Sequence, residues 1–441
     1  MKRKTYAAVG TGGRVPMFLD PIVDTYRADC ELVGLCDPSE VRRTFHQKRL
    51  ASEYGIAPVP TFSDFDQMMR ETHPEIVIVC TPDALHHEYI VRALEAGADV
   101  ISEKPLTIRA DFYAKIAEAV RRTGKKVRTT FNMRWTPGIG KIRQLIADGT
   151  IGCVRHVDFE YYLNTSHGAD YFRRWHSEKS VSGGLLLHKS THHFDIINWW
   201  LDAIPAEVFA MGKLCFYGRE NAIARGDGRF AEYPRYTGEP AAAEDPFAFD
   251  LNQSESTRDL YLNAEAETGY LRDRNVFRAG IDIEDSMSVM IRYRTGEIVN
   301  YSLNAYCPDE GFRASICGDR GRIEYTERHA SHILTGDKEV QTDGDDYTMH
   351  VRVQRHFEKP VEFDVEKVSG GHGGGDALLQ CQMFSSNPPV DATNRNAGHE
   401  QGAASLLIGA AANQSMQTGQ PVRIEEMVSL RPDKQRLHEL V

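Results

Sequence analysis

The sequence has no apolar run approaching the ~20 residues that a membrane-spanning helix requires, and no CxxC pair among its 8 cysteines. The first absence excludes a helical membrane span. The second removes the commonest metal and dithiol spacing. Positive charge is in deficit: 52 Lys and Arg stand against 63 Asp and Glu, a net charge of −11. That balance argues against nucleic-acid or anionic-membrane partners and leaves room for a local phosphate pocket. Internal repeats and low-complexity tracts are also missing. The cysteines (Cys30, Cys36, Cys80, Cys153, Cys215, Cys307, Cys317, Cys381) are scattered, several in strand-like apolar runs. They read as reduced core residues of a cytoplasmic protein. The opening MKRKTYAAVGTGGRV starts basic, but its apolar run is short and broken by glycines. It reads as a first strand and not as a signal peptide.

What is present is an α/β alternation. With 441 residues, 41% hydrophobic and 26% charged, the chain has material for two cores. The run TYAAVG ends in Gly10-Thr11-Gly12-Gly13-Arg14, and ELVGLC ends in Asp37-Pro38. Strand, Gly-rich turn, helix, strand and acid is a dinucleotide-binding pattern: Gly10 permits the tight turn and Gly12 lets the backbone approach a pyrophosphate. The third glycine of GxGxxG is replaced by Val15, which touches helix packing more than phosphate contact. Asp37 would accept from ribose hydroxyls and repel a 2′-phosphate, favouring NAD over NADP. Arg42 and Arg43 read as a solvated helix face. IVIVC then ends in Thr81-Pro82-Asp83, a helix follows through His86, DVIS ends in Glu103-Lys104-Pro105, and KVRTT leads into Phe131-Asn132-Met133-Arg134-Trp135. Polar clusters at the carboxyl ends of successive strands are where ligands bind in a doubly wound parallel sheet.

The segment SGGLLLHKSTHHFDIINWW packs His188, Lys189, His192 and His193 into six residues. Buried ionisable groups are costly unless they have work or partners. His188 and His192, four apart, are expected to share a helix face; the alternative is a capped helix start facing water. Before it, NTSHGADYFRRWHS carries Tyr171, Arg173, Arg174, Trp175 and His176, which fit the wall of a polyol pocket or a structured interface loop. The histidines, with His167 or His176, also raise a metal reading, but no acid stands at HExxH spacing and no metal is expected. Residues of about 214–284 form a long polar excursion rich in Tyr and Phe, expected to be ordered and to cover the pocket or a subunit contact. SVMIRY, IVNYSL and RASICG read as antiparallel strands. The glycine-rich stretch 370–376 has no strand feeding it. It is not a phosphate site, and it is expected to place His372 or Asp376 near the pocket.

GTGG (10–13), CDP (36–38), TPDALHHE (81–88), EKPL (103–106), FNMRW (131–135), IG (151–152), SGG…THHFD, CGDRGRIE (317–324) and a closing pattern over 402–424 together resemble the Gfo/Idh/MocA family (glucose–fructose oxidoreductase and inositol dehydrogenase). The resemblance implies an N-terminal Rossmann domain over 1–135. It implies a C-terminal α+β domain over 136–441 with an open, mostly antiparallel sheet that commonly packs on another subunit, giving a homodimer or homotetramer. It implies hydride transfer between a sugar or cyclitol carbon and a nicotinamide, and a subgroup acting on sugars or glycosides at C3. The family's catalytic lysine falls on Lys104. The histidine of its Asp-x-x-x-His pair falls on His192, and the aspartate position on His188. A histidine cannot supply a fixed negative charge, so Asp195, a substrate group or an imidazole relay must replace it.

On this reading Lys104 stabilises the alkoxide, His192 is the base, and His188 is the third catalytic residue. The coenzyme contacts are Gly10, Thr11, Gly12, Gly13, Arg14, Asp37, Thr81, Pro82, His86, Glu103, Lys104 and Asn132. The carbohydrate or cyclitol substrate meets Arg134, Arg174, Trp175, Lys189 and His193. Two other classes share these features: a glycoside hydrolase or lyase that uses tightly bound NAD for transient oxidation, and a non-catalytic nucleotide sensor.

Overall fold

The computed structural model describes residues 2–333, 347–368 and 371–441. Gly370 and the His372 side chain lie outside the described residues, so the expectation for His372 is not taken up below.

The first layer is built from β1 (Lys4–Val9), β2 (Cys30–Cys36), β3 (Thr61–Phe62), β4 (Ile76–Val79), β5 (Asp99–Ser102) and β6 (Val127–Thr129). They are parallel, in the order β6-β5-β4-β1-β2-β3. Ala7–Val9 and Val77–Val79 are buried, as continuous apolar runs must be when helices cover both faces. The strand order reverses between β1 and β4, which opens a crevice at their carboxyl ends.

The second layer contains β7 (Val154–Asn164), β8 (Pro205–Lys213), β9 (Ser286–Tyr293), β10 (Ile298–Cys307), β11 (Glu310–Gly318), β12 (Gly321–Ala330), β13 (Thr348–Arg355) and β14 (Val361–Asp364). Its order is β14-β13-β12-β11-β7-β10-β9-β8, and only the β7–β10 pairing among these is parallel. β9 alternates buried and exposed positions, the mark of a sheet with one covered face. The covered face packs on the helices Thr191–Leu201 and His399–Thr418.

Chain from the C-terminal part completes the first layer. β15 (Ala397–Gly398) pairs antiparallel with β6, while β16 (Val422–Arg423) joins β8 in the second sheet. The helix Gly375–Phe384 puts Leu379, Met383 and Phe384 into the apolar cluster of Tyr6, Phe18 and Ile22. All eight cysteines are free thiols. Among the described residues no helix is long and apolar enough to cross a membrane.

Candidate active site

The carboxyl end of β1 sets the floor of the site. Gly10 has φ +85°, and a Cβ there would stand 2.7 Å from the Cys80 carbonyl, so the turn needs glycine. A Cβ on Gly12 would meet nothing within 4 Å, which leaves space over the turn. Val15, at the missing third glycine, is fully buried beside Phe18 and Leu19 and fills the helix–strand seam. The Asp37 carboxylate accepts the Thr11 amide at 2.8 Å and the Ser39 amide at 2.9 Å.

The ends of β4 and β5 bring acids and a lysine together. Glu103 accepts Arg14 Nε at 2.6 Å and the Lys104 amide at 2.9 Å. Lys104 Nζ donates to the His188 carbonyl at 3.1 Å. Burial lowers the Lys104 pKa, with Glu103 and Asp83 opposing. His86 spans the Pro105 and Thr81 carbonyls at 2.7 and 2.8 Å. It therefore staples the two loops, and its ring nitrogens are spent on backbone and not on coenzyme.

Across the cleft, His188 ends the helical turn Leu185–His188 and His192 lies in the next helix, Thr191–Leu201. The expected shared helix face does not form, because the chain turns at Lys189-Ser190. The turn lets His188 reach the first layer, where its Nδ1 lies 2.6 Å from Asp83 Oδ2. This acid supplies the carboxyl missing at position 188, and burial pushes its pKa well above the usual value, with Lys104 opposing. Asp195 does not supply it, since Arg134 holds it in two bonds of 2.7 and 2.6 Å. Burial drives the His188 pKa well below its usual value, with His176, Lys104 and Arg174 adding to the effect. His188 is therefore a neutral imidazole at pH 7, oriented through Nδ1 by Asp83.

Around this pair stand Trp175 stacked on His176 at 3.7 Å, and His176 edge-on to His188 at 4.0 Å. Arg174 pairs with Asp170 at 2.9 Å. Lys189 lies over the Tyr161 ring at 5.1 Å, and burial lowers its pKa to about 8. His193 bonds the Tyr301 hydroxyl at 2.8 Å, and that hydroxyl donates to Ser190. His192 is 6% exposed and edge-on to Phe131.

A second wall was not foreseen. Glu310 accepts Asn164 at 2.7 Å and meets His167 at 2.9 Å. Glu327 accepts Tyr347 at 2.7 Å and meets His329 at 3.0 Å. Burial alone would lower the His329 pKa, but the carboxylates of Glu310 and Glu327 raise it to about 9. The signal was present: Glu327 continues the inward alternation of Ile323 and Tyr325 on β12.

One cleft of about 2120 Å³ takes in Gly10, Gly12, Gly13, Arg14, Asp37, Thr81, Pro82, His86, Glu103 and Lys104, and also Arg174, Trp175, His188, Lys189, His192 and His193. Excursion residues Phe249, Leu260, Tyr261, Tyr270 and Arg272 wall it as well. Three expected contacts fall outside. Thr11 and Asn132 are fully buried, Thr11 fixing the turn and Asn132 bonding Asp376 at 2.8 Å. Arg134 is also fully buried, and its guanidinium is taken by Asp195 and Gln401. It is a structural ion pair and not a substrate ligand. Among the described residues no group of three or more His, Cys, Asp or Glu is placed to hold a metal.

A dinucleotide fits these residues. The space over Gly12, the turn imposed by Gly10 and the Asp37 carboxylate match the demands of pyrophosphate and ribose. The family models agree. That for the oxidoreductase family's NAD-binding Rossmann fold matches residues 4–131, and that for its C-terminal alpha/beta domain matches 143–424. The chain belongs to the Gfo/Idh/MocA oxidoreductase family. Within this family, the Bacillus subtilis (strain 168) protein YteT is 35% identical over 429 residues, 94% of this chain and 96% of its own. The D-glucoside 3-dehydrogenase of Escherichia coli (strain K12) is 28% identical over 174 residues, 38% of this chain and 46% of its own. The aldose-aldose oxidoreductase of Caulobacter crescentus, solved with glycerol, superposes with a TM-score of 0.61 at 16% identity, covering 96% of this chain and all of that one. The chain is an NAD(P)-dependent oxidoreductase of this family.

The Asp83–His188 contact yields a prediction. Asp83→Asn keeps a hydrogen-bond partner but loses the titratable carboxyl, so turnover should fall about tenfold or more. NADH affinity should move much less. Unchanged turnover and an unchanged pH profile would remove Asp83 from the chemistry.

Proposed function

We propose that the protein oxidises a secondary alcohol of a sugar, glycoside or cyclitol with NAD, C3 of a sugar ring being the favoured carbon. The observation that carries this reading is the meeting of Lys104, from the nucleotide-binding layer, with the His188–His193 segment in one cleft. The E. coli glucoside 3-dehydrogenase supports the substrate class. Bound NAD would be held by Gly12, Gly13, Arg14 and Asp37, and its nicotinamide supplies the hydride acceptor. Lys104 steadies the alkoxide that forms as the hydroxyl loses its proton. His192 accepts that proton, burial keeps His188 neutral, and Asp83 fixes it beside Lys104. Trp175 offers an apolar face to a sugar ring, and Lys189 and Arg174 bind its hydroxyls. A cytoplasmic homo-oligomer is the assembly this reading expects.

A panel of sugars, glycosides and inositols, scored by NADH formation, tests the reading. No NADH with any of them would sink it. Asp37→Ser should narrow the NAD over NADP preference about tenfold. A wild type that already prefers NADP would defeat the Asp37 argument.

The excursion favours one second reading. Its Tyr261 hydroxyl bonds the Gly13 amide at 2.9 Å, laying chain across the nucleotide side. Such a cover suits an enzyme that retains NAD and cleaves a glycosidic bond through transient oxidation. Product formation without stoichiometric NADH would select it.

A further inference from the structure

The excursion carries a charge to the coenzyme side as well as a cover. Glu267 sits on the short helical turn Glu265–Thr268. Its Oε2 accepts the Ser39 hydroxyl at 2.6 Å and the Val41 amide at 3.2 Å. Both donors belong to the start of the helix Glu40–Tyr54, immediately after Asp37. A helix start attracts an anion, and here the chain's own carboxylate has taken the position.

Glu267 is held there firmly. The neighbouring Glu265 receives two bonds from Arg235, of 2.9 and 2.7 Å, and Arg235 also pairs with Asp273. Tyr261 bonds Gly13 on one side and takes the Arg42 guanidinium over its ring at 5.6 Å on the other. The Glu267 carboxyl is exposed, and the Ser39 hydroxyl, with the amides of Val41 and Glu40, holds its pKa below the usual value. It is an anion at neutral pH.

We propose that Glu267 is a second determinant of coenzyme choice, occupying beside Asp37 the anion position that a ribose 2′-phosphate would need. The proposal rests on the NAD reading above and deepens it. A 2′-phosphate brought to this turn meets two carboxylates, both bonded to Ser39. The nearby guanidiniums already have contacts of their own. Arg43 donates to the Asp37 carbonyl, and Arg42 lies against Tyr261 and Tyr270. A 2′-hydroxyl, by contrast, donates to a carboxylate without penalty. Coenzyme choice is then set jointly by the nucleotide layer and by an excursion more than 200 residues away in sequence.

Titration of the full chain with NADH and with NADPH, followed by nicotinamide fluorescence, tests this without turnover. In Glu267→Gln the ratio of the NADPH to the NADH dissociation constant should fall about tenfold, the effect of removing one close like charge. Glu267→Lys should lower it further. Equal weakening of both nucleotides, with the ratio unmoved, would show that Glu267 only anchors the excursion and would overturn the proposal. A wild type that binds NADPH as tightly as NADH would overturn it too, while leaving the dehydrogenase reading intact. A wild type that binds neither dinucleotide would overturn both.

Discussion

Lys104→Ala should cut turnover at least about a thousandfold, the scale of losing a charge that meets a developing alkoxide in a dry site. NADH should still bind within about threefold, because Gly12, Gly13, Arg14 and Asp37 are untouched. The sign of the pH dependence follows from burial, which lowers the Lys104 pKa. As pH rises through that lowered value the amine becomes neutral and no longer stabilises the alkoxide. Oxidation should therefore decline on the alkaline side, and at a lower pH than an ordinary lysine would set. Lys104→Arg keeps a charge that never titrates, and should flatten that limb of the profile. Rapid NADH formation by Lys104→Ala would leave the strand-end lysine without a chemical role.

Arg134→Leu should destabilise the fold by about 3–5 kcal/mol, since it leaves Asp195 buried without its cation. Burial already pushes the Asp195 carboxyl up to about 6 against the pull of Arg134. Without Arg134 the carboxyl should rise further and take a proton at neutral pH. A raised carboxyl pKa in the folded state costs stability as pH climbs, so the variant should lose stability from about pH 4 upward, where the unfolded carboxyl ionises. Adding Asp195→Asn removes the charge, and the double variant should recover part of the loss. Thermal unfolding across pH measures this. Substrate KM should stay near the wild-type value in whatever folds. A raised KM with unchanged unfolding would return Arg134 to the substrate site.

These two residues show where the sequence was informative and where it was not. Lys104 ends a short apolar strand, and the parallel sheet puts strand ends at the ligand crevice, so its placement followed from pattern and from the EKP resemblance. Arg134 follows β6 in a similar way, yet it turns into the core to meet Asp195, a partner 61 positions away. A basic residue near a strand end looks alike in both cases until the packing is known. Asp83 was read only as part of a polar cluster at a strand's carboxyl end. Its pairing with His188 spans 105 positions and depends on the two layers closing. The helix break at Lys189-Ser190 was hidden by a four-residue spacing that suits a continuous helix. The excursion's aromatic content announced order, but not that Tyr261 would reach Gly13.

The return of Gly375–Phe384 and Ala397–Gly398 into the first layer bears on how the molecule can move. Two layers joined by one crossing could swing apart about a hinge. Here the chain crosses back, and the Arg134–Asp195 pair adds a further tie. Parting the layers would break a strand pairing, an apolar seam and a buried ion pair together. The excursion is fastened to the nucleotide turn mainly by side-chain bonds at partly exposed positions. Access to the cleft is therefore cheaper by peeling back this flap than by opening the jaws.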